Sequence, residues 1–269
     1  MPMTGWIAYG LIGTVSVLVS ALTLFSGFGL GTLLMPAFAI FFPVTIAVAA
    51  TAVVHLANNL FKTALLWKHA DREVVGRFAL PAILTALAGA WLLGYLSDLP
   101  AVASYSIGTH RCELTIVKLV LGVLVGIFAV FDLVPSLDGR LVFKKKHFII
   151  GAALSGFFGG LSGHQGALRS AILLRFGLKK EAFIGTGVVC AVIVDISRLA
   201  IYGSSFFQTE FDELVQAGGL GLVGLASIAA FGGAFAGTRL IGKITMTVVR
   251  RIVGTMLILL AAGLISGII

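Results

Sequence analysis

Charged residues are scarce in this sequence, because Asp, Glu, Lys and Arg together make up only 11% of its 269 residues. Soluble domains carry about 25% charged residues, so the composition excludes a soluble globular protein. Apolar residues reach 59% of the chain. In lipid, a helix satisfies its own backbone hydrogen bonds. The composition therefore predicts an all-α polytopic membrane protein in contact with the lipid bilayer.

Cysteine is nearly absent, and the two that occur are Cys112 and Cys190. Cys112 is predicted to lie in a loop and Cys190 in the middle of a helix, which argues against a disulfide framework. The sequence contains no CxxC pair and no His/Cys cluster. Neither a metal nor another cofactor is therefore predicted.

Motifs for ATP hydrolysis and for hydrolytic catalysis are missing as well. The chain has no GxxxxGK[ST], no GxSxG and no HExxH, so we expect that it is not an enzyme. An intramembrane enzyme built from His55, Ser162, His164, Ser170 and Asp195 is an alternative that their spacing does not support. The first apolar run, Trp6–Phe25, lacks a basic n-region and is too long for a signal peptide, so we interpret it as mature chain.

Long apolar runs predict the membrane segments, since a spanning helix needs about 20 apolar residues. Six runs qualify as spans: Ile46–Leu66, Phe78–Leu96, Leu114–Val134, Ala182–Tyr202, Leu220–Thr238 and Val249–Ile268. Two further regions, Trp6–Phe42 and Phe148–Phe176, are interrupted at glycine. The second is predicted to be a hairpin of two pieces of about four turns each. The first is either a similar hairpin or a full helix followed by a short one, which gives eight to ten membrane segments in all.

Basic residues are distributed unevenly between the predicted loops. One set of alternate loops contains fourteen of the nineteen Lys and Arg residues: Lys68, Arg72, Arg77, Arg140, Lys144, Lys145, Lys146, Arg175, Lys179, Lys180, Arg239, Lys243, Arg250 and Arg251. This side is predicted to be cytoplasmic, with both termini outside. The net charge of +8 is thus explained by loop bias, and no nucleic-acid partner is predicted.

A repeat connects the two interrupted regions. Gly27–Gly31 and Ser162–Gly166 are glycine-rich breaks, and Thr51 and Thr186 follow them at the same spacing. The charge bias predicts that the first break enters the membrane from outside and the second from the cytoplasm. The halves, 1–134 and 148–269, are therefore predicted to be inverted repeats joined by a basic cytoplasmic linker at 135–147. Broken helices at corresponding positions of inverted halves are typical of transporters with a site at mid-membrane.

A second correspondence supports the repeat. Ala90–Gly94 in the first half and Gly233–Gly237 in the second are both small-xxx-small patterns. Such patterns allow close helix contact, so we expect both segments to lie in helix interfaces.

The second break also carries a resemblance to a known family. The segment Gly159–Ser170, with Gly163-His164-Gln165-Gly166 at its centre, and the following Lys180–Gly187 resemble the TauE/SafE family of sulfite and organosulfonate exporters. The resemblance covers nearly the whole chain. It implies a carrier with two homologous halves that moves sulfur-containing or small organic anions with the help of an ion gradient. Many members have a run of glycines where this chain has His164 and Gln165, so the substrate can differ from sulfite.

The two breaks are predicted to bind the substrate. The N–H groups at the start of each following half-helix, together with the helix dipole, attract anions. We expect Gly29, Gly31, Gly163 and Gly166 to lie at this position near the middle of the membrane. The alternative is a packing kink without a ligand.

Polar side chains at the second break make it the more favourable half for an anion. Arg169 lies in the first turn of the half-helix, and its planar guanidinium suits a sulfonate or carboxylate. The alternatives are snorkelling or a structural pair, for example with Asp195. His164, Gln165 and Ser170 are further candidate ligands. His164 can also titrate near neutral pH, or it can simply cap the backbone.

A polar stripe runs along the Ile46–Leu66 helix. Thr51, His55, Asn58 and Lys62 recur at helical spacing and must face protein or water. We predict that the first three line the site. Lys62 is predicted to snorkel toward the cytoplasm, and Asn59 is interpreted as a packing residue.

The matching helix of the second half contains Thr186 and Cys190 at the equivalent positions. Thr186 is predicted to contact the substrate. Asp195 and Arg198 lie three residues apart and are predicted to pair. Asp195 is either only this structural partner or, like His164, a residue that binds the coupling ion.

These features together predict a secondary transporter that exports a small anion by alternating access. Its partners are the anionic substrate, a coupling proton or cation and the lipid bilayer; no oligomeric state is predicted. We expect it to be integral to the plasma (inner) membrane of a prokaryote. The alternative is a passive anion-selective channel. A purely structural subunit is disfavoured, because charges buried in the membrane are costly unless they have a use.

Overall fold

A computed structural model describes residues 5–23, 30–108, 110–134, 147–206, 219–237 and 246–269. The described part of the chain is almost entirely helical. Its α-helices are α1 Gly5–Thr23, α2 Leu30–Ala39, α3 Val44–Leu66, α4 Arg72–Ser97, α5 Ile116–Leu133, α6 Phe148–Ser162, α7 Gly166–Leu173, α8 Lys180–Ile201, α9 Gly219–Gly237 and α10 Met246–Ser266. Strands β1 Ala101–Ile107 and β2 His110–Thr115 form an antiparallel hairpin between α4 and α5.

The helices confirm the predicted all-α polytopic membrane fold. Each of the six predicted spans corresponds to one helix, from α3 to α5 and from α8 to α10. Within the described ranges, four stretches are long and apolar enough to cross a membrane: Val44–His69, Arg72–Ser97, Lys180–Ser204 and Gly219–Gly237. The bounds follow the apolar runs because a span must cover the hydrocarbon thickness.

The β-hairpin was not predicted from the sequence. The prediction that Cys112 lies in a loop was wrong, since Cys112 is a buried residue of β2. Strand β1 is exposed along its whole length. Its Ala103-Ser104-Tyr105-Ser106-Ile107 segment alternates apolar and polar residues, which was the available signal for a strand. The predicted absence of a disulfide holds, because Cys112 and Cys190 are both free.

The two interrupted regions differ in helix length. In the first, α1 has 19 residues and α2 has 10, as expected for a long helix followed by a short one. In the second, α6 has 15 residues but α7 has only 8. The prediction that the second piece has about four turns was therefore wrong. Helix α7 gives way to a 3₁₀ turn, and Gly177 then ends it with a φ of +64°, a conformation that favours glycine.

Helices α4 and α6 pack side by side along their length. Gly156 lies against the backbone of Ala82, and Gly160 lies against Ala86 and Ala90 one turn further along both helices. The two helices therefore run parallel. A Cβ atom at either glycine would overlap a carbonyl oxygen of α4, so this close approach requires glycine.

Helices α1 and α9 form a matching parallel pair. Gly233 lies against the backbone of Val17, and Gly237 lies against Ala21. The prediction that the small-xxx-small segments lie in helix interfaces is thus confirmed for Gly233–Gly237. It is also confirmed for Ala90, which packs against Gly160.

Two further helix pairs, α3–α8 and α5–α10, run antiparallel. In α3 and α8, His55 contacts Asp195 whereas Leu66 lies near Gly185. In α5 and α10, Gly122 lies against Ile265 and Leu133 lies against Gly254. In the predicted repeat, helices α1 to α5 of the first half are equivalent to α6 to α10 of the second. The pair α4–α6 is then equivalent to the pair α9–α1, and α3–α8 and α5–α10 are pairs of equivalent helices. The inverted repeat remains a prediction, and it requires this packing pattern.

Two of the four basic regions, 68–77 and 175–180, lie at one end of the bundle. Phe148 at the start of α6 packs on Phe176 after α7, with ring centroids 4.9 Å apart, and both belong to one apolar cluster with Val74 near the start of α4. The β-hairpin lies at the opposite end, where the Tyr105 hydroxyl donates to the carbonyl oxygen of Ser266. This arrangement is the one that the predicted orientation requires.

Candidate functional site

Gly31, the last residue of the first glycine-rich break, meets the second break in the interior of the protein. A Cβ atom at Gly31, in the first turn of α2, would lie 3.4 Å from the carbonyl oxygen of Gly163 and 3.5 Å from the ring of His55. Gly163 ends α6 in the left-handed conformation, with a φ of +80°, which favours glycine. The structure therefore brings Gly31, Gly163 and the adjacent Gly166 together, while Gly29 lies outside the described residues.

Asp195 is the centre of a buried polar network beside this junction. Its Oδ1 accepts hydrogen bonds from Arg198 Nη2 at 2.7 Å and Nε at 3.1 Å. Gln165 Nε2 donates to the same oxygen at 2.9 Å. On the other oxygen, Oδ2 lies 2.6 Å from His55 Nδ1 and accepts from Asn59 Nδ2 at 3.1 Å. The network joins α3 of the first half to the break and α8 of the second.

The pair of Asp195 and Arg198 confirms the partnership expected from their spacing. Both side chains are fully buried, at 0% exposure. Arg198 Nη1 also donates to the carbonyl oxygen of Gly159 at 3.3 Å, and the hydroxyl of Tyr202 donates to that of Gly160. These two hydrogen bonds connect the end of α8 to the end of α6, just before the second break.

Gln165 connects Asp195 to Arg169. While its Nε2 donates to Asp195, its Oε1 accepts from Arg169 Nη1 at 3.1 Å. Its backbone oxygen accepts from Ser155 Oγ at 3.0 Å and from Arg169 N at 3.1 Å. Because both ends of the amide are engaged, Gln165 holds the start of α7 in place. Ser170, which follows Arg169 in α7, is buried.

Arg169 and Lys62 are two buried cations on the basic side of this network. The Arg169 side chain passes α8, with Nε 3.8 Å from the Cβ position of Gly187. Lys62 comes from α3, one turn before Leu66, which lies near Gly185 of the same helix α8. Lys62 is only 7% exposed. The prediction that it snorkels was wrong, because its side chain packs inside the protein.

His164 is held at the break by two contacts. Its ring stacks on Phe128 of α5 at a centroid distance of 5.4 Å and an angle of 5°. Its Nδ1 lies 3.0 Å from the carbonyl oxygen of Ser162. This is the capping contact that the sequence left open as an alternative. The other nitrogen, Nε2, is buried and has no hydrogen-bond partner in the described part of the chain.

The polar stripe of α3 faces two different neighbours. His55 and Asn59 contact Asp195 on α8, whereas Asn58 accepts a hydrogen bond from Ser20 Oγ on α1 at 3.3 Å. Asn59 was interpreted as a packing residue, yet it donates to the central carboxylate. Its position four residues after His55 was the available signal, because residues at that spacing share a helix face. Thr51, one turn before His55, is buried.

Thr186 lies away from the junction. Its Oγ1 accepts a hydrogen bond from the backbone N–H of Asp71 at 2.8 Å, and Asp71 is the residue that caps the start of α4. The neighbouring Gly185 lies against the backbone at the end of α3. Thr186 therefore joins helix ends on the basic side of the bundle, and the structure does not bring it to the predicted substrate site.

We expect Thr186→Val to destabilise the protein without weakening anion binding. The substitution leaves the Asp71 N–H without its acceptor, which costs about 1–3 kcal/mol in the free energy of unfolding. Thermal unfolding of the purified protein measures the loss, and titration with sulfite measures binding. Thr186→Ser keeps the hydroxyl and is the matched control. Lost binding with unchanged stability would instead place Thr186 at the substrate.

The chain matches a known protein family. A family model described as sulfite exporter TauE/SafE matches residues 12–264, which is nearly the whole chain. No curated protein and no solved structure matches it. The matched range includes both breaks and every residue of the buried polar network.

Proposed function

Because the chain belongs to the sulfite exporter TauE/SafE family, we propose that it is a secondary transporter for sulfite, an organosulfonate or a related small anion. Family membership makes it a membrane transporter for a sulfur-containing anion. The proposal adds a mechanism, namely alternating access around a site at the junction of the two breaks, with coupling to an ion gradient.

The observation that carries this proposal is the burial of two cations, Lys62 and Arg169, inside the protein. Their side chains come from opposite halves of the chain and are only 7% and 4% exposed. An anion between them would be attracted by both charges, since opposite charges are strongly attracted where water is excluded. The N–H groups of α7 begin at Gly166, and its helix dipole adds a further attraction for an anion. The site therefore suits a small anion better than a cation or a neutral solute.

The arrangement of the halves supports alternating access. Lys62 and His55 belong to the first half, whereas Arg169 and Asp195 belong to the second, so the proposed ligands come from both. Helix α3 contacts its equivalent α8, and α5 contacts its equivalent α10. Both pairs run antiparallel, which is the direction that inverted repeats require. A site shared by two inverted halves can open to one side or the other when one half rocks against the other.

Arg169→Ala is expected to weaken anion binding by about tenfold or more, because a hydrogen bond to a charged group contributes about 1.5–3 kcal/mol. Thermal-shift titration of the purified protein against sulfite, sulfate, thiosulfate, sulfonates and short carboxylates identifies the ligand and measures the loss. Arg175→Ala is the matched control, since Arg175 is exposed after α7 and should bind like the parent. Arg169→Lys tests the geometry, because a lysine keeps the charge without the planar guanidinium.

Binding by Arg169→Ala as tight as by the parent would contradict the proposed site. Transport in proteoliposomes then tests the mechanism. A proton-coupled carrier slows when an uncoupler collapses the pH gradient, whereas flux through a passive channel follows only the electrochemical gradient of the anion.

A further inference from the structure

His55 connects the two halves of the chain within the buried network. It comes from the first half of the chain, yet its Nδ1 lies 2.6 Å from Asp195 Oδ2 in the second half. The opposite edge of its ring faces Gly31 at the first break. His55 thus touches both the central carboxylate and the junction of the breaks, and its imidazole can gain or lose a proton.

Asp195 is poorly suited to bind a proton during transport. Both of its oxygens already accept hydrogen bonds, from Arg198 and Gln165 on one side and from His55 and Asn59 on the other. Hydrogen bonds to the charged form and an adjacent cation both favour an ionised carboxylate. Protonation would also leave Arg198 as a buried cation without its counter-charge. Asp195 therefore stays ionised and acts as a positioning residue for His55.

The charged groups that face His55 come from two helices of the second half. Asp195 and Arg198 lie on α8, and Arg169 on α7 is connected to Asp195 through Gln165. Helices α2, α6 and α9, which also pack around this region, contain no titratable side chain. On α3 itself, Lys62 lies two turns further along. A proton on His55 would therefore add a positive charge to a buried region that already contains Arg169 and Lys62.

We propose that His55 binds the coupling ion, a proton, and that this proton and the anion bind cooperatively. The inference rests on the proposed function. The proton comes from bulk water on one side of the membrane, binds the imidazole while Nδ1 keeps its contact with Asp195, and returns to bulk water on the other side. His55 is chosen over His164 because its ring contacts a carboxylate that balances a positive charge, whereas the ring of His164 contacts Phe128 and Ser162. No bond other than N–H forms or breaks.

The direction of the pH dependence follows from charge. Protonated His55 makes the site more positive, so the anion binds more tightly at low pH and more weakly as His55 loses its proton. Because the linkage is reciprocal, anion binding must also draw a proton onto the protein. Couplings between sites are typically about fivefold to 150-fold. We expect the parent protein to lose about tenfold in affinity between about pH 5 and about pH 8.

The experiment uses methanesulfonate and sulfate, whose charges do not change over this range. Their affinities are measured by calorimetry on the parent, His55→Gln and His164→Gln proteins in nanodiscs at both pH values. We expect the pH dependence to persist in His164→Gln and to disappear in His55→Gln. A pH-independent parent, or a His55→Gln protein with the parent's pH dependence, would overturn the proposal.

A second measurement does not require the variant to fold. Methanesulfonate is added to the parent protein in weakly buffered solution containing a pH indicator. We expect proton uptake that saturates together with binding, and its absence would overturn the inference while leaving the anion site intact. Failure of both anions to bind the parent at either pH would instead contradict the proposed function itself.

Discussion

Asp195→Asn is expected to lower the unfolding midpoint of the protein by about 10 °C, because it removes the only carboxylate among the buried side chains of the described residues. Arg198, fully buried at 0% exposure, would then be a cation without its counter-charge. Breaking a buried ion pair by removing one partner costs about 3–5 kcal/mol. For a chain of this size each kcal/mol corresponds to about 2–4 °C in the unfolding midpoint. Thermal unfolding in nanodiscs measures the shift.

Two comparisons separate this effect from a general loss of charge. Glu181→Gln, in the first turn of the same helix, removes an exposed carboxylate and should leave the midpoint nearly unchanged. The double variant Asp195→Asn with Arg198→Met should be destabilised by less than the sum of the two single changes, because residues in contact are energetically coupled. Strict additivity would show that the pair does not stabilise the fold.

Gly160→Val is expected to prevent α4 and α6 from packing and to destabilise the protein strongly. A Cβ atom at Gly160 would overlap the carbonyl oxygen of Ala86 and lie 2.9 Å from the backbone nitrogen of Ala90. These are backbone atoms, so the clash is relieved only if the helices separate. Overpacking of this kind costs about 1–3 kcal/mol and occasionally more. Yield of folded protein and its unfolding midpoint measure the effect.

The clash at Gly160 should also reach the polar network. Tyr202 donates to the carbonyl oxygen of Gly160, and Arg198 donates to that of Gly159. Gly224→Ala is the matched control, since a Cβ atom there meets nothing within 4 Å. Alanine is a better helix former than glycine, so this control should be as stable as the parent or slightly more stable. A Gly160→Val protein with the parent's midpoint would refute the close packing of α4 and α6.

Much of the candidate site could be predicted, because charge inside an apolar chain is conspicuous. Arg169, Asp195 and Arg198 were identified simply as charged residues within apolar helices. The roles of Asn59 and Thr186 could not be predicted in the same way. Helical periodicity shows which residues share a face, but it does not show which neighbouring helix that face meets. Asn59 faces α8 and reaches Asp195, whereas Thr186 faces the start of α4.

The sequence by itself determined the class of the protein, the helices and the breaks between them. These are local properties, since a long apolar run must be helical in lipid and a cluster of glycines interrupts it. Only the tertiary structure decided that Gln165 connects Asp195 to Arg169, that Lys62 is buried, and that His55 meets both Asp195 and Gly31. These contacts join residues far apart in the chain, so they depend on how the two halves pack against each other.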